Sequence, residues 1–142
     1  MKKFAISVFL VLVFSLFAAD AGNLKGPTDL TAAIEQAGKE NKAVFILFGR
    51  PACGNCSALK RMIERHEVRL NPAAFVIADI NCDNPEQSKA FYEHYKVTGK
   101  MLPFVVIARA DGTLVASRTG YGTAAEFNSF VLKARRDIGK PQ

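Results

Sequence analysis

The apolar positions of this chain alternate between two spacings, and their order predicts its elements. Ala43-Val44-Phe45-Ile46-Leu47-Phe48 is a continuous run of strand-forming side chains, ended by Gly49, Arg50 and Pro51. Beyond that break Leu59, Met62 and Ile63 recur at helical spacing, so a buried strand turns into a helix that carries on to about His66. Ahead of the strand, Leu30, Ala33, Ile34 and Ala37 share the inner face of a helix running to about Asn41, with Thr28 as its cap. Asn71-Pro72 interrupts the chain before a second strand over residues 75–80. Asn84-Pro85 opens another helix, with asparagine as cap, proline at the first helical position and Gln87 three residues after the cap. That helix ends near Lys96, before Thr98 and Gly99. Residues 104–108 read as an apolar strand, and Asp111-Gly112 predicts a hairpin that returns antiparallel through residues 114–117. Gly120 and Gly122 flank Tyr121 in a turn, Thr123 and Glu126 form a capping box, and Phe127, Phe130, Val131, Ala134 and Ile138 stripe the last helix. This order predicts an α/β domain: a central mixed sheet of about four strands flanked by helices on both faces, because strand–helix–strand units give parallel neighbours.

The N-terminus follows a different pattern. Lys2 and Lys3 precede an apolar run over residues 4–19 broken only by Ser7 and Ser15, and Ala19-Asp20-Ala21 fits a small-x-small cleavage site. These features predict a signal peptide over residues 1–21, a linker over residues 22–27 and one domain over residues 28–142. The apolar run is shorter than the roughly 20 residues a membrane-spanning helix needs. The expected location is outside the cytoplasm, the periplasm for a Gram-negative source, where disulfides form and persist. The formal charge of the 142-residue chain is +6, and about +5 without the first 21 residues. Lys60, Arg61, Arg65, Arg69, Arg135 and Arg136 read as solvated faces. There is no aromatic–basic interleaving, phosphate-binding glycine loop, repeat or low-complexity tract, so nucleic acid is not an expected partner.

The candidate chemistry lies at Cys53-Gly54-Asn55-Cys56, where the first strand turns into its helix. Two cysteines at this spacing can close a small disulfide or hold a metal. The first N–H groups of a helix have no intrahelical partners, and the helix dipole there favours negative charge. A cysteine at that point has its thiolate stabilised, with a pKa below the free value of about 8.5. Arg50 adds positive charge, and no acidic residue lies between Val44 and Arg61. Cys53, at the turn itself, is the better nucleophile. Cys56 is one turn inside and more shielded, and the small residues Gly54 and Asn55 keep the site open. Cys82 makes the cysteine count odd; it reads as a partly buried free thiol, with a regulatory thiol or a third metal ligand as alternatives. His66 lies ten positions after Cys56, about 15 Å along a continuous helix, and cannot be the base for Cys53. His94 reads as solvated, and the cysteines and histidines lack recognisable zinc spacing, so no metal ligand and no cofactor is assigned.

The apolar strand, Cys53-Gly54-Asn55-Cys56, the amphipathic helix after it, the second strand and Met101-Leu102-Pro103-Phe104 opening a third strand resemble the thioredoxin-fold family, more narrowly the secreted bacterial thioredoxin-like proteins and disulfide-relay domains. The resemblance covers residues 28–138. It implies a thioredoxin fold and thiol–disulfide exchange with exported proteins, with Cys53 attacking and Cys56 resolving. It also implies a cis Pro103 facing the cysteine pair, leaving the Leu102 backbone free to pair with an extended substrate segment while Met101 and Leu102 supply apolar contact. The implied partners are exported proteins with thiols or disulfides and a membrane or periplasmic redox partner; the implied state is a monomer. Three positions depart from the family: Ala52 where many members carry tryptophan, Leu47 where thioredoxin has a buried acidic residue, and Asn55 where it has proline. These departures disfavour a housekeeping cytosolic role. Arg50 and the missing acidic residue favour a stabilised thiolate and so a more oxidising pair, whereas resemblance to relay domains favours reduction of substrates; the direction stays open, with reduction slightly favoured. Two other classes stay open at this stage, a copper- or other metal-binding module and a binding protein whose cysteine pair is a structural staple.

Overall fold

Six consecutive buried residues, Val44 to Gly49, identify the strand at the centre of the molecule, since only a strand covered on both faces is apolar throughout. The computed structural model describes residues 24–140; the expected signal peptide, its cleavage site and the first residues of the expected linker lie outside the described residues. The elements are α1 (Leu30–Glu40), β1 (Ala43–Gly49), α2 (Gly54–Glu64), β2 (Phe75–Asn81), α3 (Pro85–Tyr95), β3 (Phe104–Ala108), β4 (Leu114–Thr119) and α4 (Ala124–Ile138). The sheet order is β2-β1-β3-β4. β1 runs parallel to β2 and antiparallel to β3, and β4 returns antiparallel beside β3. No helix among the described residues is long and apolar enough to cross a membrane.

Alternation along the central strands splits the core into two layers. Phe45, Leu47, Val105 and Ile107 face α2 and α4, meeting Cys56, Leu59, Ile63, Phe127, Val131 and Ala134. Val44, Ile46, Phe48, Val106 and Ala108 face α1 and α3, meeting Leu30, Ala33, Ala37, Phe91 and Tyr95. In the second layer Phe48 stacks on Phe91 with ring centroids 4.0 Å apart, and Phe104 meets the same ring edge-on. These rings support the end of β1 from below, at the point where the chain turns toward the cysteines.

Three local features differ from the sequence expectation. The cap of α1 is Asp29, one residue after Thr28. Its carboxylate accepts the Ala32 N–H at 2.8 Å and the Gln87 side-chain amide at 2.5 Å, while Gln87 Oε1 accepts the Leu30 N–H. The choice between two adjacent cap-forming residues is thus made by α3, 58 positions away. Second, α2 ends at Glu64, two residues before His66. His66 adopts φ 59°, and the N–H groups of Glu67 and Val68 both turn back onto the Met62 carbonyl. That reversal buries Val68 in the core. Third, residues 24–27 of the expected linker pack against the domain. Leu24 joins the α2 layer, and the Pro27 carbonyl accepts the Asp79 N–H at 3.0 Å. Gly26 passes so close to β2 that a Cβ there would lie 1.9 Å from the Ile77 oxygen. The segment is a strap along the outer edge of β2.

Candidate functional site

β1 delivers the chain to the C-terminal end of the sheet, and the turn through Arg50, Pro51 and Ala52 begins α2 with Cys53 as its cap residue. The cap is the sulfur itself: Cys53 Sγ accepts the Cys56 N–H at 3.1 Å, and the Cys53 carbonyl accepts the Ser57 N–H at 3.0 Å. The Cys53 N–H in turn donates to the Arg50 carbonyl. Cys53 and Cys56 are joined in a disulfide with their Cα atoms 5.2 Å apart. The first turn of α2 holds no acidic residue, so nothing local opposes its positive end. Cys56 is completely buried, whereas Cys53 is partly exposed. Cys53 is thus the more accessible member of the pair, while Cys56 sits in the core.

Gly49 makes this seat possible. A Cβ on it would lie 2.7 Å from Cys56 Sγ, closer than side-chain carbons approach, and a tight 3.2 Å from Cys56 Cβ. The sequence shows Gly49 only as the end of a strand; its role comes from the packing of α2 across that end. Gly54 differs, because a Cβ there would meet nothing within 4 Å. Gly54 and Asn55 are both exposed on the outer rim.

The sheet registers bring the other candidate residues to the same end. Phe48 pairs with Phe104, and Phe104 with Thr119, so Gly49, Pro103 and Gly120 follow one another across the strand ends. Pro103 is buried, the Leu102–Pro103 peptide bond is cis, and the Pro103 carbonyl accepts the Gly120 N–H at 2.9 Å. Leu102 is half-buried and packs against both core layers, while Met101 is 65% exposed. Tyr121, read from sequence only as part of a turn, is 57% exposed. Its neighbour Gly120 lies against Met101, a Cβ there being 3.9 Å from Met101 Sδ. Met101 and Tyr121 are therefore exposed apolar side chains on the rim of the sheet end that also carries the cysteine turn.

On the other side of β1, the Cys82 N–H donates to the Gly49 carbonyl at 2.7 Å, which places Cys82 at the same sheet end. It is a free, partly buried cysteine. Arg50 is engaged here: its Nε lies 3.3 Å from Asp83 Oδ1, and the neighbouring Cys82 thiol and Asp83 charge raise the arginine pKa above its ordinary value. The partners of Arg50 are thus on the β2 side of the turn. His66 lies beyond the far end of α2, and His94 bonds the Gly112 carbonyl at 3.1 Å. Among the described residues, no three His, Cys, Asp or Glu side chains are grouped to hold a metal ion.

A buried ion pair completes the surroundings. Lys60 Nζ lies 2.5 Å from Asp79 Oδ2, with the two side chains 15% and 10% exposed. The sequence signal for it is a single carboxylate inside the apolar strand Phe75–Asn81.

Comparison with known proteins agrees with this fold. The profile of the thioredoxin-like domain matches residues 30–135. A single-site mutant of a thioredoxin from Halobacterium salinarum NRC-1 superposes with a TM-score of 0.56 at 19% identity, covering 79% of this chain and 96% of that one. The germline-specific thioredoxin Deadhead of Drosophila melanogaster superposes with a TM-score of 0.59 at 18% identity, covering 76% and 96%. At these identities the two structures speak to the fold. A comparison with curated protein sequences finds no match.

Proposed function

Because the chain belongs to the thioredoxin-like domain family, we propose that its Cys53–Cys56 pair is the centre of a thiol–disulfide oxidoreductase of the cell envelope, reducing disulfides in exported proteins. The observation that carries this reading is the position of Cys53 as the cap of α2, its sulfur already accepting a helix N–H. A thiolate there takes up a hydrogen bond and a dipole that are in place before it forms.

The order of attack follows from exposure. The Cys53 thiolate attacks one sulfur of a substrate disulfide; a mixed disulfide forms, and the other substrate sulfur leaves as a thiolate and takes a proton from water. The buried Cys56 thiol then gives up its proton and attacks Cys53 Sγ. The Cys53–Cys56 bond forms, and the second substrate sulfur leaves and is protonated. The substrate gains two electrons and the cysteine pair loses them. A dithiol donor, here a membrane or periplasmic partner, returns the pair to its reduced form. Met101, Leu102 and Pro103 flank the turn, so an extended substrate segment laid along Leu102 gains main-chain bonds there and side-chain contact from Met101 and Tyr121. The charged start and apolar run over residues 1–21 support export.

The test uses a fluorescent peptide containing one disulfide. Cys56→Ser is expected to accumulate a covalent adduct with the peptide that dithiothreitol releases, and Cys53→Ser to form none. Absence of an adduct with Cys56→Ser at neutral pH would overturn the reading.

A further inference from the structure

Lys60 and Asp79 are charged side chains buried beneath the redox helix, and nothing in the reaction above uses them. Asp79 pairs with Leu47 across β1 and β2, so its carboxylate lies on the same sheet face as the Leu47 side chain. That face supports the buried sulfur: a Cβ on Gly49 would lie 3.2 Å from Leu47 Cδ2 and 2.7 Å from Cys56 Sγ. Lys60 follows Cys56 by four residues on α2, a spacing that sets Cβ atoms about 5–6 Å apart on one helix face. Lys60 is thus one turn along the same helix face from Cys56, and Asp79 shares the sheet face on which the Cys56 sulfur sits.

Few other charges compete in this layer. β1 and β3 contribute none, since residues 44–48 and 104–108 are all apolar. On α2, Arg61 and Glu64 are exposed, as are Glu126, Lys133, Arg135 and Arg136 on α4. Arg118 of β4 lies over the Phe127 ring, 4.1 Å from its centroid. Stability does not account for the pair either, because well-packed apolar residues of similar volume commonly serve as well as a buried ion pair.

We propose that Lys60 and Asp79 are a positioning pair in which each charge masks the other, so that neither displaces the redox potential of Cys53–Cys56 from the value the helix start gives it. The ammonium favours a thiolate at the helix start and the carboxylate opposes it. Held together, they nearly cancel and leave the helix end in control. The inference rests on the redox reading of the preceding section.

The test is equilibration with glutathione at pH 8, read by thiol trapping. Two glutathione thiols give one glutathione disulfide, and their two electrons and two protons pass to the cysteine pair; the proton that Cys53 gives up as it forms a thiolate goes to the buffer. Lys60→Met leaves the carboxylate unbalanced and is expected to shift the equilibrium roughly tenfold against the reduced form, about 30 mV more negative. Asp79→Leu leaves the ammonium and is expected to shift it about as far the other way. The double variant is expected to return to within about twofold of wild type, as cancelling charges require. Shifts of the same sign in both single variants, or no shift in either, would mark a merely structural pair and overturn the proposal. If the apolar single variants do not fold, Lys60→Gln and Asp79→Asn carry the same test with a hydrogen-bonding group kept at each site. A wild-type protein with no reversible couple overturns the redox reading itself, a result distinct from same-sign shifts around an intact couple.

Discussion

Gly49→Ala tests the seat of the buried sulfur, because one methyl group is placed against known atoms. The added Cβ would lie 2.7 Å from Cys56 Sγ, 3.2 Å from Cys56 Cβ and 3.2 Å from Leu47 Cδ2. Leu47 is fully buried and Cys56 is held in a helix, so neither neighbour yields freely. Overpacking of this kind costs about 1–3 kcal/mol. The cost differs between redox states. In the disulfide the Cys56 sulfur is fixed toward Cys53, whereas the free thiol can turn to another rotamer and relieve the closest contact. An expectation of about 2 kcal/mol for the oxidised protein and about 1 kcal/mol for the reduced one follows. In a domain of this size these correspond to melting temperatures lower by roughly 8 °C and 4 °C. The assay is thermal unfolding by circular dichroism of both proteins, oxidised and with excess dithiothreitol. The difference of about 1 kcal/mol closes a cycle with the redox equilibrium, so Gly49→Ala is also expected to favour the reduced pair about fivefold, near 20 mV. An oxidised variant that melts with wild type, or equal losses in both redox states, would refute the reasoning.

Acid stability gives a second measurement. Asp29 is held below the ordinary carboxyl range by the Ala32 N–H and the Gln87 amide, and Glu126 by the N–H and hydroxyl of Thr123. A carboxyl depressed in the folded state contributes stability above its unfolded pKa, about 4, and loses it as pH falls through the folded value. Asp29→Asn, which keeps the cap, is therefore expected to flatten the fall in melting temperature between pH 5 and 3, and Asp29→Ala to cost about 1 kcal/mol at pH 7 as well. For the rim, Met101→Ala with Tyr121→Ala is expected to raise KM for a disulfide-bonded protein several-fold while leaving exchange with glutathione unchanged, because glutathione is too short to reach both side chains. Equal loss with both substrates would place these residues outside recognition.

The parts of this molecule that local rules decide were legible in the sequence. The eight elements and their order follow from period and punctuation, and Asn84 with Pro85 and Thr123 with Glu126 cap the helices they were expected to cap. Each such signal lies within four residues of the feature it specifies. Cys53 and Cys56 belong to this class, since the apolar run before them and the helical spacing after them fix their place at a helix start. Where two local choices were equally good, the outcome depended on distant contacts. Thr28 and Asp29 are both competent caps, and Gln87 selects the second. Gly49 and Tyr121 were visible as residues but not as parts of the site. Their roles depend on the strand register that sets Gly49, Pro103 and Gly120 side by side.

The buried ion pair shows how one such distant contact entails the next. β2 is an outer strand of the sheet, and a carboxylate on an outer strand ordinarily reaches water beside the open edge. Here the edge is closed: Pro27 accepts the Asp79 N–H, Gly26 runs against the Ile77 carbonyl, and Leu24 packs into the core beyond them. Closing the edge leaves Asp79 10% exposed, a position in which an unpaired carboxylate would cost several kcal/mol. The helix above must then supply a cation. Of the basic residues on α2, Lys60 is the one within the layer, because Arg61 next to it points to solvent. The strap, which looked like linker, thus buries the carboxylate that Lys60 meets, on a helix well separated from it in sequence. Removal of residues 24–27 is expected to expose Asp79 and loosen its hold on Lys60. Hydrogen exchange would register this as faster exchange at the Asp79 amide together with the first turns of α2. Loss of protection at β2 alone would refute the coupling.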